Sequence, residues 1–351
     1  MGVPYGPASG LESPRFVGVR TFARLPYVRD LAGVDVAVIG VPFDTGATFR
    51  VGCRFGPAAI REASVMLRPY NPYLEIQVFD YVSAVDYGDL PVVPGYIEAS
   101  YERIVAGLEP VLAAGVVPIL LGGDHSITLA HLRAVVRRHG PVALVHIDAH
   151  GDIWDEYWGQ RYTHGTPFRR AVEEGLLDVG RSIQVGMRGP LYSPQDLQLA
   201  RDLGFEVISG RELRRRGTTP VGEAIRARVG SRPAFLSFDV DFVDPAFAPG
   251  TGTPEVGGPT SAEALDLARG LVGVNLVAAD VVEVLPAYDG PGQVTALLAA
   301  NVVYELMSVV ACNRRAARAQ AGEGHHGGDP GTGGARAGGP RAGRATARGG
   351  G

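Results

Sequence analysis

The sequence predicts an α/β protein built on a parallel β-sheet with helices on both faces. Three observations carry this. Short apolar runs alternate with amphipathic segments along most of the 351 residues, the pattern of repeated strand–helix units. The apolar runs are rich in Val, Ile and Leu with little polar alternation, as a sheet buried on both faces requires. No long linker interrupts residues 20–312, so one large domain is expected there.

The elements follow in order. Residues 34–41 (VDVAVIGV) read as the first strand. Pro57 opens a helix at the position where its missing N–H costs nothing, with Ala58, Ile60 and Leu67 on the buried face. Residues 96–114 form a helix and 117–121 a strand. Residues 127–138 form a helix closed by Gly140, and 142–147 a strand. A helix over 167–177 precedes a strand over 183–186. Residues 193–203 are a helix with Ser193 as cap and Pro194 at its first position. Residues 234–238 are a strand, 261–270 a helix, 276–282 a strand and 294–310 a final helix. Residues 321–351 are Gly-rich with almost no large apolar side chain, too little to offset the entropy of ordering, and are expected to be disordered. His325 and His326 lie there and read as solvated. The expected division is an N-terminal extension (1–20), one main α/β domain (21–312) and a Gly/Arg-rich tail (313–351).

Composition excludes several classes. Charged residues are 20% of the chain and the net charge is -4, so no nucleic-acid partner is expected. There is no lysine, which excludes a Walker-type phosphate loop and Schiff-base chemistry. Cys53 and Cys312 stand far apart in unrelated contexts and imply neither a disulfide framework nor a thiolate zinc site. The N-terminus lacks the charged start and apolar run of a signal peptide. No apolar stretch reaches the ~18 residues needed to span a membrane. A cytoplasmic location and no membrane partner are expected.

Three segments concentrate carboxylates and imidazoles, each directly after an apolar strand: Gly122-Gly123-Asp124-His125-Ser126, Asp148-Ala149-His150-Gly151-Asp152, and Asp239-Val240-Asp241. In an open parallel sheet, ligands bind beyond the carboxyl ends of the strands, so all three aim at one crevice. Alternation along an extended chain puts Asp148, His150 and Asp152 on one side, and Asp239 with Asp241. Six candidate ligands result: His125, Asp148, His150, Asp152, Asp239 and Asp241. Four carboxylates and two imidazoles without thiolate suit a hard ion such as manganese. The crowded carboxylates would take up protons unless cations neutralise them. Two divalent ions would do so, and would lower the pKa of a shared water. Asp244-Pro245 reads as a turn, His146 as a packed core histidine, and Asp124 is left open.

These segments, with VPFDTGATFRVGCRFGPAAIRE early and AFAPGTGTPEVGG and VVEVLPAYD late, resemble the motifs of the ureohydrolases, the superfamily of arginase, agmatinase and guanidino-acid amidinohydrolases. The resemblance is closest to agmatinases and their near relatives. It implies a three-layer α/β/α fold with a mainly parallel eight-stranded sheet and two Mn²⁺ per subunit. His125, Asp148, Asp152 and Asp239 would hold one ion, and His150, Asp148, Asp239 and Asp241 the other. It further implies Asp152 and His164 (in THGTPF) as proton-handling residues, Glu283 as the guanidinium-binding carboxylate, and a homotrimer or homohexamer. Gly151, where relatives carry Ser or Thr, and Cys53, where Ala or Thr is common, depart from the pattern.

The implied reaction is hydrolysis of a guanidino group to urea, with agmatine giving putrescine as the first substrate to test. Guanidinobutyrate or another guanidino acid is the alternative. Asp155 and Glu156 would suit the agmatine ammonium and Arg161 a carboxylate, while Trp154, Tyr157 and Trp158 would line the pocket or a subunit contact. A non-catalytic regulatory relative and a one-zinc amide hydrolase on the same fold are the other classes kept open.

Overall fold

The computed structural model describes residues 3–323. Among them are ten strands: β1 (Val36–Gly40), β2 (Tyr70–Asn71), β3 (Ile76–Gln77), β4 (Ala84–Asp89), β5 (Val117–Leu121), β6 (Ala143–Ile147), β7 (Ile183–Met187), β8 (Glu206–Ser209), β9 (Ala234–Asp239) and β10 (Leu276–Val282). Eight form one sheet in the order β4-β1-β5-β10-β9-β6-β7-β8. Every neighbouring pair in it is parallel. β2 and β3 make a small antiparallel ribbon.

Both faces of the sheet are buried, as the apolar strands require. Val36 and Val38 of β1 face one core, and Ala37 and Ile39 face the other. The helices Gly56–Ser64, Ser261–Arg269 and Val294–Glu323 supply residues to the first core, and Ile97–Ala113 and Ile127–His139 to the second. Ser261–Arg269 begins at a capping box in which Thr260 and Glu263 satisfy each other's backbone N–H. Ile127–His139 ends in Arg137, Arg138 and His139 and stops at Gly140, whose φ of 68° only glycine adopts without strain.

Two sheet strands lie outside the pattern read from the sequence. β4 carries Asp86 and Asp89, so it does not look apolar. Arg61 supplies the compensation, with Nε 2.8 Å from Asp86 and Nη1 2.6 Å from Asp89. β8 is four residues long and has only β7 as a neighbour. The helices Gly210–Arg216 and Thr218–Val229 were also not anticipated. Their Arg-rich stretches mask the apolar period. The helix expected over 193–203 runs Gln195–Asp202, and Ser193 gives its N–H and O–H to Asp196 instead of capping it.

The strand order positions the site. From β5 the chain passes to β6 and leaves two places between them, which β9 and β10 fill later. The carboxyl ends of the four central strands β5, β10, β9 and β6 thereby lie side by side at the point where the order reverses, the place where such sheets bind ligands.

Residues 3–20 contain no helix or strand, yet Tyr5 exchanges bonds with Ser83 Oγ and the Ala84 N–H at the start of β4. The chain divides into two units, Met1–Arg315 with the sheet and its helices, and a second beginning at Ala316. The last helix runs to Glu323, eleven residues into the tail expected from 313, because Ala, Arg, Gln and Glu are strong helix formers. His325, His326 and the rest of the tail lie outside the described residues. By length and mean hydropathy Val294–Ala321 passes as a membrane span, contrary to the expectation that no apolar stretch is long enough. Its most apolar window is 83% buried within the protein, so its composition is that of a core helix.

Candidate active site

The segment after β5 is shaped by its glycines. A side chain at Gly123 would stand 1.7 Å from the Phe43 carbonyl. Its absence lets the backbone turn and drives His125 into the protein, where it is fully buried. His125 Nε2–H donates to Ser237 Oγ at 2.8 Å, because the Ser237 O–H is itself given to Asp280 at 2.6 Å. That chain leaves Nδ1 as a bare lone pair with no hydrogen-bond partner. Nδ1 faces Asp148 Oδ2 at 3.1 Å, Asp152 Oδ2 at 2.8 Å and Asp239 Oδ2 at 3.2 Å. Four electron-rich atoms pointing at one another in a dry site fit a cation between them.

A second group adjoins the first. His150 Nδ1 lies 3.0 Å from Asp241 Oδ2 and 3.6 Å from Asp148 Oδ1. Asp148 thus presents one oxygen to each group. Backbone donors fix the carboxylates: the His150 N–H bonds Asp148 Oδ1 at 2.5 Å, and the Asp241 N–H bonds Asp239 Oδ1 at 2.8 Å. Burial, then the neighbouring Asp241 and Asp148, push the Asp239 carboxyl well above the usual range, and burial with Asp148 raises Asp241 to about 6. Divalent ions would remove that penalty. All six residues expected to bind metal therefore meet here.

His146 belongs to the site in a different role. Gln184 Nε2 donates to the Gly151 carbonyl at 2.7 Å and to His146 Nδ1 at 3.0 Å. His146 Nε2 therefore carries its hydrogen and gives it to Asp148 Oδ2 at 2.8 Å. Its hydrogen bond holds the Asp148 carboxylate in place. A side chain at Gly151 would meet only Ile153 at 3.5 Å and Gln184 Oε1 at 3.8 Å. The Ser or Thr common there would thus reach Gln184 Oε1, which has no partner among the described residues. Asp152 does not reach the site by strand alternation as expected. Its φ is 47°, so a left-handed turn delivers it. Such a conformation in a non-glycine residue costs about 1–3 kcal/mol and is concentrated at functional sites.

Glu283, also left-handed with φ 65°, follows β10. Its Oε1 accepts from the His125 N–H at 2.9 Å and from His164 Nδ1–H at 2.8 Å, and its Oε2 from the Cys53 thiol at 3.1 Å. The other face of His164 meets Thr48: the Thr48 N–H points at Nε2 at 3.0 Å, and Thr48 Oγ1 lies 2.6 Å away. Asp44 holds this loop by accepting from the Gly52 N–H and from Arg54 Nε at 2.7 Å, and Asp124 holds it by accepting from the Gly46 N–H at 2.7 Å. Asp124, left open from sequence, is thus a loop anchor.

A cavity of about 800 Å³ opens over the carboxylates, with Asp152, Asp239, His150 and His164 in its wall. Trp154, Tyr157 and Trp158 line it, as one of the two expected arrangements has it. The charges proposed from sequence for reading the substrate's far end do not. Asp155 is bound to Arg170 at 2.5 Å, Arg161 to Glu173 at 2.6 Å, and Glu156 is exposed elsewhere. Nor does Glu283 line the cavity; it is 1% exposed with both oxygens engaged.

Several contributors escaped the sequence reading: Ser237, Asp280, Gln184 and Thr48. A lone Asp inside the apolar run of β10 was the available signal for Asp280, since a buried carboxylate requires donors. It takes Thr128 Oγ1–H at 2.9 Å as well as Ser237. Ser237→Ala should free His125 Nε2 and release the tautomer. The expected result is metal affinity lower by about 10–100-fold, as for loss of other groups that orient ligands, measured by manganese titration. Unchanged affinity would show that packing alone orients the ring.

A family model described as the arginase family matches residues 34–308. The chain is 44% identical over 307 residues to a guanidinobutyrase of Pseudomonas aeruginosa, covering 87% of this chain and 96% of that one. It is 45% identical over 304 residues to a mitochondrial agmatinase of Gallus gallus, covering 87% and 89%. The solved proclavaminate amidino hydrolase of Streptomyces clavuligerus superposes with a TM-score of 0.82 at 42% identity, over 86% of this chain and all of that one. Near-equal identities to a guanidinobutyrase and an agmatinase leave the choice of substrate to the cavity wall.

Proposed function

The chain belongs to the arginase family and is an amidinohydrolase, and on that premise we propose that it releases urea from a short guanidino carboxylic acid with two Mn²⁺ per subunit. The observation that supports hydrolysis is the bare His125 Nδ1 facing three carboxylate oxygens beneath the cavity. His125, Asp148, Asp152 and Asp239 would hold one ion, and His150, Asp148, Asp239 and Asp241 the other. When bound, the pair would supply a water that deprotonates near neutral pH and a Lewis acid beside the guanidinium carbon. Asp152, in the cavity wall, would orient that water and accept its proton. His164 would give a proton to the leaving amine. Glu283 would take guanidinium N–H bonds only after His164 or Cys53 yields an oxygen, so its first role is to hold His164.

The carboxylic-acid reading rests on Arg211. It is exposed, lines the cavity and is paired with no other described residue. The other guanidinium in the wall, Arg188, is spent on the backbone carbonyls of Asp241, Phe242, Glu255 and Val256. Agmatine is the second reading, favoured by Asp196 and Glu255 in the same wall. The intact donor set argues against a purely regulatory protein. A cytoplasmic homotrimer or homohexamer fits two free buried thiols and the exposed Phe49, Trp158 and Tyr192 at the cavity.

The test is urea release from 4-guanidinobutyrate, 3-guanidinopropionate, agmatine and arginine, with Mn²⁺ and after chelation, in wild type and Arg211→Gln. Chelation should abolish urea and Mn²⁺ restore it. Loss of a charge-assisted contact of about 1.5–3 kcal/mol should lower kcat/KM for the guanidino acid by roughly 10–100-fold and leave agmatine nearly unchanged. Wild-type preference for agmatine would sink the carboxylate reading and keep the chemistry.

A further inference from the structure

His164 is held from both sides, and the two contacts on its outer side differ in kind. At Nε2 the Thr48 backbone offers a donor at 3.0 Å and the Thr48 side chain a hydroxyl at 2.6 Å. A neutral imidazole with its hydrogen on Nδ1, facing Glu283 at 2.8 Å, accepts the Thr48 N–H. A protonated imidazole instead gives Nε2–H to Thr48 Oγ1. One residue therefore offers a partner to both protonation states. Unpaired, either state would leave a buried polar atom without a partner. The loop is rigid enough to keep this geometry. Gly46 N–H is tied to Asp124, Gly46 O accepts the His164 N–H at 2.9 Å, and Gly52 and Arg54 are tied to Asp44. Thr48 also lines the cavity beside His164.

We propose that Thr48 is a proton-relay residue, its hydroxyl standing between His164 Nε2 and the leaving nitrogen while its amide receives the deprotonated ring. The inference rests on the hydrolytic reading given above. As the C–N bond breaks, its electron pair passes to the leaving nitrogen, which takes the proton of Thr48 Oγ. Thr48 Oγ takes the proton of His164 Nε2, and the ring becomes neutral with its remaining hydrogen on Nδ1, donated to Glu283. Nε2 then accepts the Thr48 N–H. Solvent entering the cavity returns one proton to the ring, matching the one lost by the attacking water, so the cycle balances. The relay explains how His164, only 7% exposed and with Nε2 aimed at this loop, delivers a proton into the cavity.

The experiment compares Thr48→Val and Thr48→Ser with wild type, as full chains loaded with Mn²⁺, on the substrate that wild type turns over best. Valine keeps the shape and the backbone N–H but removes the hydroxyl. Serine keeps the hydroxyl. Thr48→Val should lose about 10²-fold or more in kcat, within the range of general acid–base effects, with KM within about three-fold and full manganese content. Thr48→Ser should retain kcat within about three-fold. A Thr48→Val enzyme with wild-type kcat overturns the relay. So does equal loss in both variants, which would make the methyl group and loop packing responsible. Wild type that releases no urea from any guanidino compound would instead overturn the hydrolytic reading, and the relay with it.

Discussion

Asp148→Asn should abolish urea release and manganese binding together. Asp148 is the carboxylate that touches both donor groups: Oδ2 lies 3.1 Å from His125 Nδ1, and Oδ1 lies 3.6 Å from His150 Nδ1. Asparagine keeps the shape but removes a charge. It also turns an NH₂ either at His146 Nε2–H or at the His150 N–H, both donors already. Loss of the ions removes several kcal/mol of transition-state stabilisation, about 10³-fold or more in rate. What disappears is the rise in melting temperature on adding Mn²⁺, which for wild type corresponds to about 2.7 kcal/mol at a hundred-fold excess over Kd. Metal content, melting with and without Mn²⁺, and urea release check this. A variant with wild-type turnover rules out the two-ion site.

His164→Asn should slow turnover by roughly 10²–10⁴-fold and leave the ions in place. The ring bonds Glu283 and Thr48 and none of the six donors. Burial opposes its charge, but Glu283 at 2.8 Å outweighs burial and pushes the pKa up to about 9. The sign follows: the imidazolium that gives the proton is populated below that value and lost above it. Wild-type kcat should therefore fall as pH rises through about 9. The asparagine variant, with nothing to titrate there, should lack that limb. Metal loss in the variant would instead assign His164 a structural part in the donor cluster.

The three polar segments were legible because each follows an apolar strand and repeats metal-binding residue types at close spacing. Parity was no guide for Asp152, which a left-handed residue turns into the site, because the chain bends as soon as it leaves β6. Edge strands were illegible for opposite reasons. β4 hides its strand character behind Asp86, compensated by Arg61 from another element, and β8 is too short to show a period. The choice between Asp155 or Arg161 and Arg211 was beyond the sequence altogether. A charge beside a motif is neutralised when a partner from elsewhere reaches it, as Arg170 reaches Asp155 and Glu173 reaches Arg161.

By itself the sequence determined the buried parallel sheet, which six carboxylate and imidazole residues gather at the strand ends, and the lysine-free composition. These depend on residue type and local period, which the chain carries everywhere. The tertiary structure alone decided which strand ends meet, which imidazole nitrogen is bare, that His146 orients while His125 faces the carboxylates, and that Thr48 and Cys53 flank the His164–Glu283 pair. Those facts arise from contacts between residues as far as 230 positions apart, and a hydrogen bond's direction is set by what the partner's other atoms already hold.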